Sequence, residues 1–239
     1  MVERRATDPR QAADETGERP SAPLGRADWI EAARRALVAG GVASVKIDRL
    51  AADLGVTRGS FYWHFADRAE LLATLLDHWE ATNTAPMEQA VARAGSDGHA
   101  KLTALIRLWI DEVAFSPAYD AAVRDWARHD AAAAAAVRRT DDRRIDLLAG
   151  IFADLGYVGT DAFVRARVAY FHQVGYYALA IREPRQLRLD LLPHYYRVLT
   201  GFPMPDHLRA TIGRVSEEAR SPPRRIVRRG ERPKGTRAR

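Results

Sequence analysis

The chain has 239 residues, enough for one or two domains with a substantial core, and its lack of cysteine excludes disulfides and cysteine-ligated zinc or iron–sulfur centres. The formal net charge of +6 arises at one end, because residues 220–239 hold nine basic residues and one acidic residue, leaving 28 basic against 30 acidic residues elsewhere. Whole-chain charge is therefore no evidence that the rest of the chain binds nucleic acid.

Both ends of the chain have compositions typical of disorder. Residues 1–23 are rich in proline, glycine and charge, which predicts a disordered arm, and residues 220–239 predict a disordered basic tail. The tail either adds salt-sensitive affinity for phosphates or serves as an idle solubilising extension. The first residues lack the apolar segment of a secretory signal, and no apolar run has membrane-spanning length. We therefore expect a cytoplasmic protein with no membrane partner.

The first predicted helix follows the arm. Asp28 and Glu31 have the spacing of a capping box, so a helix is expected to begin there and to end at Gly40-Gly41. Its apolar spacing predicts a buried face made of Trp29, Ile30, Ala33, Leu37 and Val38.

Residues 47–65, IDRLAADLGVTRGSFYWHF, contain two short helical patterns separated by a turn. Gly55 stands where the first helix ends, and Thr57 is a suitable N-cap for the second, whose inward residues would be Phe61 and Phe65. Two short helices joined by a glycine-containing turn form a helix-turn-helix, whose second helix usually enters the major groove of DNA. The apolar face of the first helix comprises Ile47, Leu50, Ala51 and Leu54.

The outward face of the second helix combines basic, hydroxyl and aromatic side chains. Arginine, serine, tyrosine and histidine donate hydrogen bonds to phosphate oxygens and base edges. Gly59 costs about 1 kcal/mol in a helix relative to alanine, but its missing side chain would let the helix N-terminus approach a phosphate. The alternative is a helical hairpin whose aromatic residues pack on a neighbouring element. The outward residues are Arg58, Ser60, Tyr62, Trp63 and His64.

The run LAADLGVTRGSFYWHF, followed by DRAELL, resembles the DNA-binding domain of the TetR family of bacterial transcriptional regulators over residues 27–79. The resemblance implies a three-helix DNA-binding head and a fourth helix that connects the head to a helical body. It also implies a repressor that binds a palindromic operator as a homodimer and is released by a small-molecule effector of unknown identity. The alternative is an activator, because the position of the operator decides whether binding represses or activates transcription.

The resemblance assigns roles to individual residues of the head. Arg68 matches the basic position that grips a phosphate at the start of the fourth helix. Before the turn, the family usually has a capping threonine with an acidic residue three places on, where this chain has Lys46 and Arg49. Ser44 is then the candidate cap of the helix before the turn, and Lys46 is the candidate for the phosphate contact that the threonine usually makes. The predicted DNA-binding residues are Lys46, Thr57, Arg58, Gly59, Ser60, Tyr62, Trp63, His64 and Arg68.

Only helical patterns follow, so the predicted fold is all-α, with a helix-turn-helix head at 24–66 and a larger helical ligand-binding and dimerisation body at 67–219. Asp67 with Glu70 forms a second predicted capping box. Ser116 and Asp130 are predicted N-caps, and Val113 is expected on the apolar stripe of the helix before Ser116.

Two late helices complete the predicted body. Thr160 or Asp161 is expected to open a helix that runs to residue 182. Asp190 is expected to cap the last helix, with Pro193 in its first turn and Gly201 at its end.

These two late helices are too apolar for a single buried face, which predicts a homodimer interface. Small residues permit close helix approach, and a twofold dimer would present two recognition helices to a palindrome. The alternative is that both faces are buried within one subunit. The predicted interface residues are Phe171, Gly175, Ala178, Leu192, Tyr195, Tyr196 and Leu199.

Large, partly polar residues scattered through otherwise aliphatic helices predict a pocket for the effector. Each of them fits the core or the surface equally well, and the sequence does not identify the ligand. The predicted lining residues are Trp109, Trp126, His129, Tyr170, Gln173 and Tyr177.

The sequence offers no catalytic residues, metal ligands or cofactor motif. Its seven histidines form no HxxxH or HExxH pair, and no phosphate-binding glycine loop or GxSxG is present. We therefore expect no enzyme activity and no cofactor. A DNA-binding or scaffold protein whose helical body is purely structural and independent of ligand remains the alternative, and a pocket in the body would distinguish the two.

Overall fold

A computed structural model describes residues 24–218, with side chains as far as residue 212. These residues form helices and no strand, which confirms the all-α prediction. The arm predicted at 1–23 and the basic tail predicted at 220–239 lie outside the described residues. The helices are α1 Arg26–Gly40, α2 Ile47–Asp53, α3 Arg58–Phe61, α4 Arg68–Asn83, α5 Ala85–Arg93, α6 Gly98–Asp111, α7 Pro117–Ala127, α8 Ala131–Asp154, α9 Gly159–Ala178, α10 Arg185–Thr200 and α11 Asp206–Glu218.

The helix-turn-helix is built on an apolar cluster that reaches into the body. Trp29, Leu50 and Phe61 bury their side chains completely between α1, α2 and α3. Tyr119 and Val123 from α7 belong to the same cluster, because α7 packs against both α1 and α4. Head and body therefore share a continuous apolar core at α4 and α7.

A second apolar cluster fills the body. It joins α5, α6, α8, α9, α10 and α11, and Leu105, Leu148, Phe152 and Tyr196 are among its fully buried members. In the described part of the chain, no helix combines the length and the apolar character needed to cross a membrane.

The predicted start of the first helix is wrong. α1 begins at Arg26, and Gly25 is the N-cap, whose amide donates to Asp28 Oδ2 at 2.7 Å. Asp28 is thus the acidic residue at the third helical position rather than the cap. Glu31 takes no part in the cap and forms an ion pair with Arg34 in the next turn of α1, with Arg34 Nη2 2.7 Å from Glu31 Oε1.

Three predicted N-caps are confirmed. The side chains of Asp67, Ser116 and Asp130 accept the backbone amides of Glu70, Tyr119 and Ala133, respectively. The second hydrogen bond of the predicted Asp67–Glu70 capping box differs. Glu70 Oε2 accepts from the backbone amide of Ala66, not from that of the N-cap Asp67.

Several boundaries in the body differ from the sequence-based ones. α6 ends at Asp111, and the positive φ of Glu112, 52°, turns the chain so that Val113 is 86% exposed and not on the apolar stripe. α9 begins at Gly159, before Thr160, and ends at Ala178.

The predicted start of the helix at Asp190 is also wrong. α10 begins at Arg185 after Pro184, whose backbone is preset for the residue before a helix, so Asp190 and Pro193 lie inside it. Its end at Gly201, with φ 75°, is confirmed. The sequence-based prediction missed α11, whose first turn follows Pro205.

Candidate nucleic-acid interface

The turn between α2 and α3 depends on Gly55. Its φ of 69° lies in the left-handed region, which glycine adopts without strain. The turn is closed by two backbone hydrogen bonds, from Gly55 N to Ala52 O at 3.1 Å and from Val56 N to Ala51 O at 3.0 Å. This geometry fixes the direction in which α3 leaves the turn.

The inner side of α3 is held by stacked aromatic rings. Phe61 meets the edge of Trp29 with ring centroids 5.3 Å apart, and it stacks on Phe65 at the same separation. Phe61 and Phe65 are buried, as the sequence predicts. The Arg26 guanidinium lies 4.3 Å above the Phe65 ring and donates to Glu70 Oε1 at 2.8 Å, so it ties α1 to α4 across the turn.

The outer side exposes the aromatic residues. Trp63 is 87% exposed and Tyr62 is 50% exposed. The structure ends α3 at Phe61, so Tyr62, Trp63 and His64 follow the helix in hydrogen-bonded turns, with His64 N donating to Phe61 O at 2.9 Å. The resemblance put these three residues on the recognition helix, and the structure puts them at its C-terminal end.

Arg58 links the two helices of the motif on their exposed side. Its Nη2 donates to the Tyr62 hydroxyl at 3.3 Å, and its Nη1 lies 3.4 Å from Asp48 Oδ1. The hydrogen bond to Tyr62 and the nearby Asp48 carboxylate raise the pKa of Arg58. Ser60 and Gly59 share the first turn of α3 with Arg58, behind the N-cap Thr57, whose side chain makes no capping bond.

The basic residues flanking the motif have different surroundings. Lys46 is exposed and is the N-cap of α2, whereas Ser44 donates to Gly40 O at 2.8 Å and does not cap α2. Arg68 donates to Val45 O at 2.6 Å and to Val42 O at 2.8 Å. Arg68 therefore anchors the segment before α2, and its phosphate contact stays a prediction.

A polar joint connects α4 to α7, and sequence reasoning missed it. The Tyr119 hydroxyl donates to Leu75 O at 2.7 Å, and Trp79 Nε1 donates to Asp120 Oδ1 at 3.2 Å. Asn83 exchanges hydrogen bonds with the backbone of Ser116, at 2.9 and 3.2 Å. A rigid shift of α7 must therefore move α4, which carries the head.

A buried ion cluster lies behind this joint. Arg144 is 1% exposed and donates to Asp120 Oδ1 at 2.8 Å and to Thr84 Oγ1 at 3.0 Å. Arg124 bridges Asp120 at 2.8 Å and Asp141 at 2.6 Å. Burial alone would raise the pKa of Asp120, but Arg144 and Arg124 lower it below its ordinary range. Asp120 and Arg124 are one turn apart on α7, and Asp141 and Arg144 are one turn apart on α8, but the sequence does not show that these two pairs meet.

The predicted pocket residues do not come together. Trp109 and Gln173 line one cavity, and Tyr177 lines a neighbouring one. Tyr170 belongs instead to the ion cluster, where Arg124 Nη2 donates to its hydroxyl at 2.8 Å. Trp126 packs in the apolar cluster shared with the head, and His129 is exposed in the turn after α7, so neither lines these two cavities.

The predicted interface residues are also divided. Phe171, Ala178 and Tyr195 are exposed, and Gly175 and Leu199 are half-buried. Leu192 and Tyr196 do not fit the assignment, because they point into the core of their own subunit. His99 Nδ1 lies 2.6 Å from the Tyr196 hydroxyl, which accounts for the polar end of that buried side chain.

The comparisons with known proteins agree with this geometry. The model of the bacterial regulatory proteins of the tetR family matches residues 30–75. The HTH-type transcriptional regulator TtgR of Pseudomonas putida is 48% identical over 58 residues, which are 24% of this chain and 28% of that relative. The match to this curated relative thus covers less than a third of the relative's length.

Two solved structures are similar over most of the chain. A transcriptional regulator from Rhodococcus sp. Rha1 has a TM-score of 0.54 at 19% identity, covering 82% of this chain and 97% of that one. The ketosteroid transcriptional regulator KstR2 of Mycobacterium tuberculosis has a TM-score of 0.52 at 16% identity, covering 78% and 98%. At these identities the likeness establishes the fold alone.

Fold and motif together define a helix-turn-helix protein with an all-helical body. The sequence match is specific to its head: residues 30–75 match the model of the bacterial regulatory proteins of the tetR family, and the head is similar in sequence to the regulator TtgR.

Proposed function

We propose that the protein is a DNA-binding transcriptional repressor that binds a palindromic operator as a homodimer and is released by a small-molecule effector. The observation that carries the proposal is the exposed surface of the helix-turn-helix, where Trp63 is 87% exposed beside Tyr62 and Arg58. Trp63 is left in solvent at the end of the recognition helix, and Tyr62, whose ring meets the Phe61 ring on one side at 5.3 Å, is half exposed on the other.

The surface offers the contacts that a DNA groove requires. Arg58 and His64 supply donors for phosphates or base edges, and the rings of Tyr62 and Trp63 supply apolar contact. A Cβ at Gly59 would meet only Thr57 Oγ1, at an ordinary 3.6 Å, so packing within the chain does not require glycine there. Close approach of the DNA backbone gives a reason for it.

Homodimerisation is supported by an exposed apolar face on α9. Its members recur at spacings of three and four residues, so they lie on one side of the helix. A Cβ at Gly175 would meet nothing within 4 Å in its own subunit, so the space above this residue is open to a partner helix. Exposed Tyr195 and Val198 on α10 extend the surface. The α9 face consists of Val164, Val168, Phe171, Gly175 and Ala178.

Release by an effector requires a link between body and head. The joint of α4 with α7 supplies one, because Trp79, Asn83 and Thr84 at the end of α4 are hydrogen-bonded to Asp120, Ser116 and Arg144 of the body. An effector that binds the released arrangement more tightly than the DNA-bound one would shift the equilibrium away from the operator.

The proposal is tested by a gel-shift titration on the DNA that flanks the protein's own gene, with random DNA as competitor at near-physiological salt. A competitor-resistant shift, followed by a footprint with twofold symmetry, is expected. Binding that random DNA removes fully, both on this fragment and on sequences selected from a random pool, would contradict sequence-specific recognition.

The homodimer has its own test in Val168→Asp, which places a charge on the α9 face. Sedimentation velocity is expected to change from dimer to monomer, with loss of the competitor-resistant shift. Val113→Asp is the matched control, because Val113 is also exposed but lies in the loop after α6. A dimer that survives Val168→Asp unchanged would contradict this interface.

A further inference from the structure

Two neighbouring cavities lie in the body. The inner chamber, about 80 Å³, lies between α6, α9 and α10, and its mostly apolar wall includes Ile106, Trp109, Ala169 and Leu192. The vestibule, about 790 Å³, opens between the α6–α7 loop and the α9–α10 loop. Tyr176, Glu183 and Arg188 line both cavities, so these three side chains form the partition between them.

The inner chamber contains one polar group without a partner. Gln173 lines the chamber, and its Nε2 is buried with no hydrogen-bond acceptor among the described residues. A buried donor left unpaired costs about 1–3 kcal/mol. An apolar chamber with one unpaired donor fits a ligand that brings a hydrogen-bond acceptor.

The partition is held by interactions that can open. Arg188 Nη1 lies 3.0 Å from Glu112 Oε1, Arg188 Nη2 donates to Trp109 O at 2.9 Å, and the guanidinium lies 5.0 Å from the centroid of the Tyr176 ring. The Glu112 side chain is 40% exposed and that of Arg188 is 14% exposed, so water reaches one side of this ion pair. A ligand that passes the partition must displace Arg188 from these contacts, so Arg188 controls the passage between the two cavities.

Backbone strain is concentrated at the same place. Among the described residues, Glu112 and Ala180 are the two non-glycine residues with positive φ, 52° and 51°, and both line the vestibule. Such conformations cost about 1–3 kcal/mol each and cluster at ligand clamps and switch regions. They lie on opposite loops, so a ligand between these loops would contact both strained segments.

We infer that the inner chamber and the vestibule form one gated site for a small, predominantly apolar molecule that carries a neutral hydrogen-bond acceptor such as a ketone oxygen. The acceptor takes the N–H of Gln173. The chamber has about half the volume of a cavity that holds benzene, so only the acceptor-bearing end enters it, and the apolar remainder passes Arg188 into the vestibule. The regulatory meaning of this site, though not its occupancy, rests on the proposed function.

The vestibule wall is close to the joint with the head. Phe115 stacks on Tyr177 with ring centroids 5.6 Å apart, and the Arg144 guanidinium lies 5.7 Å from the Phe115 ring. Arg144 in turn binds Thr84, directly after α4. A ligand that displaces Tyr177 therefore acts on the end of α4 through three successive side-chain contacts.

Two probes of equal shape test the acceptor: acetophenone, and α-methylstyrene, in which a methylene group replaces the carbonyl oxygen. Dissociation constants are measured on the full-length, DNA-free protein by ligand-detected NMR. Acetophenone is expected to bind in the millimolar range, about 3–10-fold more tightly than α-methylstyrene, as one neutral hydrogen bond implies.

Gln173→Leu keeps the side-chain size and removes the donor. It is expected to abolish the preference for acetophenone while leaving the affinity for α-methylstyrene unchanged or higher, and its Tm should not fall. Gln186→Leu is the matched control, because Gln186 is exposed on α10 and bonds to Asp190. Equal binding of the two probes by the wild type, no binding of either, or a preference that survives Gln173→Leu would overturn the inference.

A gel shift on the operator separates this inference from the proposed function. If the protein binds acetophenone through Gln173 but shows no sequence-specific DNA binding, the ligand site is supported and the proposed regulatory function is contradicted. If the protein binds its operator specifically but binds neither probe, the regulatory function is supported and the ligand site is contradicted. Glu112→Gln, which breaks the ion pair with Arg188, is expected to raise the dissociation rate of acetophenone severalfold, and an unchanged rate would contradict the gate.

Discussion

The head and the body differ in the range of the interactions that define them. In the head, the turn at Gly55 and the packing of Phe61 on Phe65 arise between residues close in sequence. In the body, the decisive contacts join distant residues, such as Arg144 with Thr84 and Arg188 with Glu112. A recognition surface can therefore be inferred from a local motif, whereas a ligand site and its coupling to that surface depend on tertiary structure.

The sharpest contrast within the head is between two neighbouring aromatic residues. Phe61→Ala is expected to lower the free energy of unfolding by about 3–5 kcal/mol, because it leaves a cavity beside Trp29. Trp63→Ala is expected to change it by no more than about 0.5 kcal/mol, because Trp63 is exposed. Urea denaturation measures both variants. Similar losses would mean that the Tyr62–His64 turn packs on the protein rather than facing DNA.

Within the body, the corresponding contrast is between two arginines of α8. Arg144→Met is expected to lower the free energy of unfolding by about 3–5 kcal/mol, because it leaves the buried Asp120 carboxylate short of a partner. Arg139→Met breaks an exposed ion pair with Glu80 and should cost about 1 kcal/mol or less. Equal effects in urea denaturation would show that the ion cluster does not hold the body to α4.

A smaller effect is expected in the pH dependence of stability. The pKa of Asp120 is lower in the folded protein than its ordinary value of 3.8, so its contribution is present above pH 3.8 and is lost as the pH falls through the lowered pKa. Asp120→Asn should therefore be less stable than the wild type at neutral pH, and the gap should narrow below pH 3.8.

Urea midpoints measured across this pH range test the expectation. Asp77→Asn, a change of an exposed residue on α4, is the control and should follow the wild-type curve. A gap between Asp120→Asn and the wild type that is constant with pH would contradict the role of the Asp120 charge.

The accuracy of the sequence-based predictions follows the same division. The helix-turn-helix, the buried Phe61 and the N-caps Asp67, Ser116 and Asp130 were predictable, because each shows in a local residue pattern, although the ring that covers Phe61, Trp29, comes from α1. The cap at Asp190 was predicted wrongly, because an aspartate before an apolar run has the same local pattern inside a helix as at its start. α10 begins five residues earlier, at Arg185, with Pro184 as its N-cap.

The parts of the candidate sites that depend on tertiary contacts were not predictable. Trp126 and Trp109 both lie on amphipathic helices, yet Trp126 packs in the apolar cluster shared with the head and Trp109 lines the inner chamber. Leu192 and Leu199 both belong to the apolar pattern of α10, but only the burial of each in the folded chain separates a core residue from a surface one. In the ion cluster around Asp120, the spacing of Asp120 and Arg124 is visible in the sequence, but their contacts with Asp141 and Arg144 of α8 are not.

The assignment of the Tyr62–His64 turn to DNA is tested most directly by Tyr62→Ala and His64→Ala. Operator affinity, measured by gel shift with random competitor, is expected to be lost in both variants, while sedimentation velocity still gives the wild-type dimer. Retained operator affinity, or dissociation of the dimer in these variants, would show that the exposed turn is a packing surface and not the surface that reads DNA.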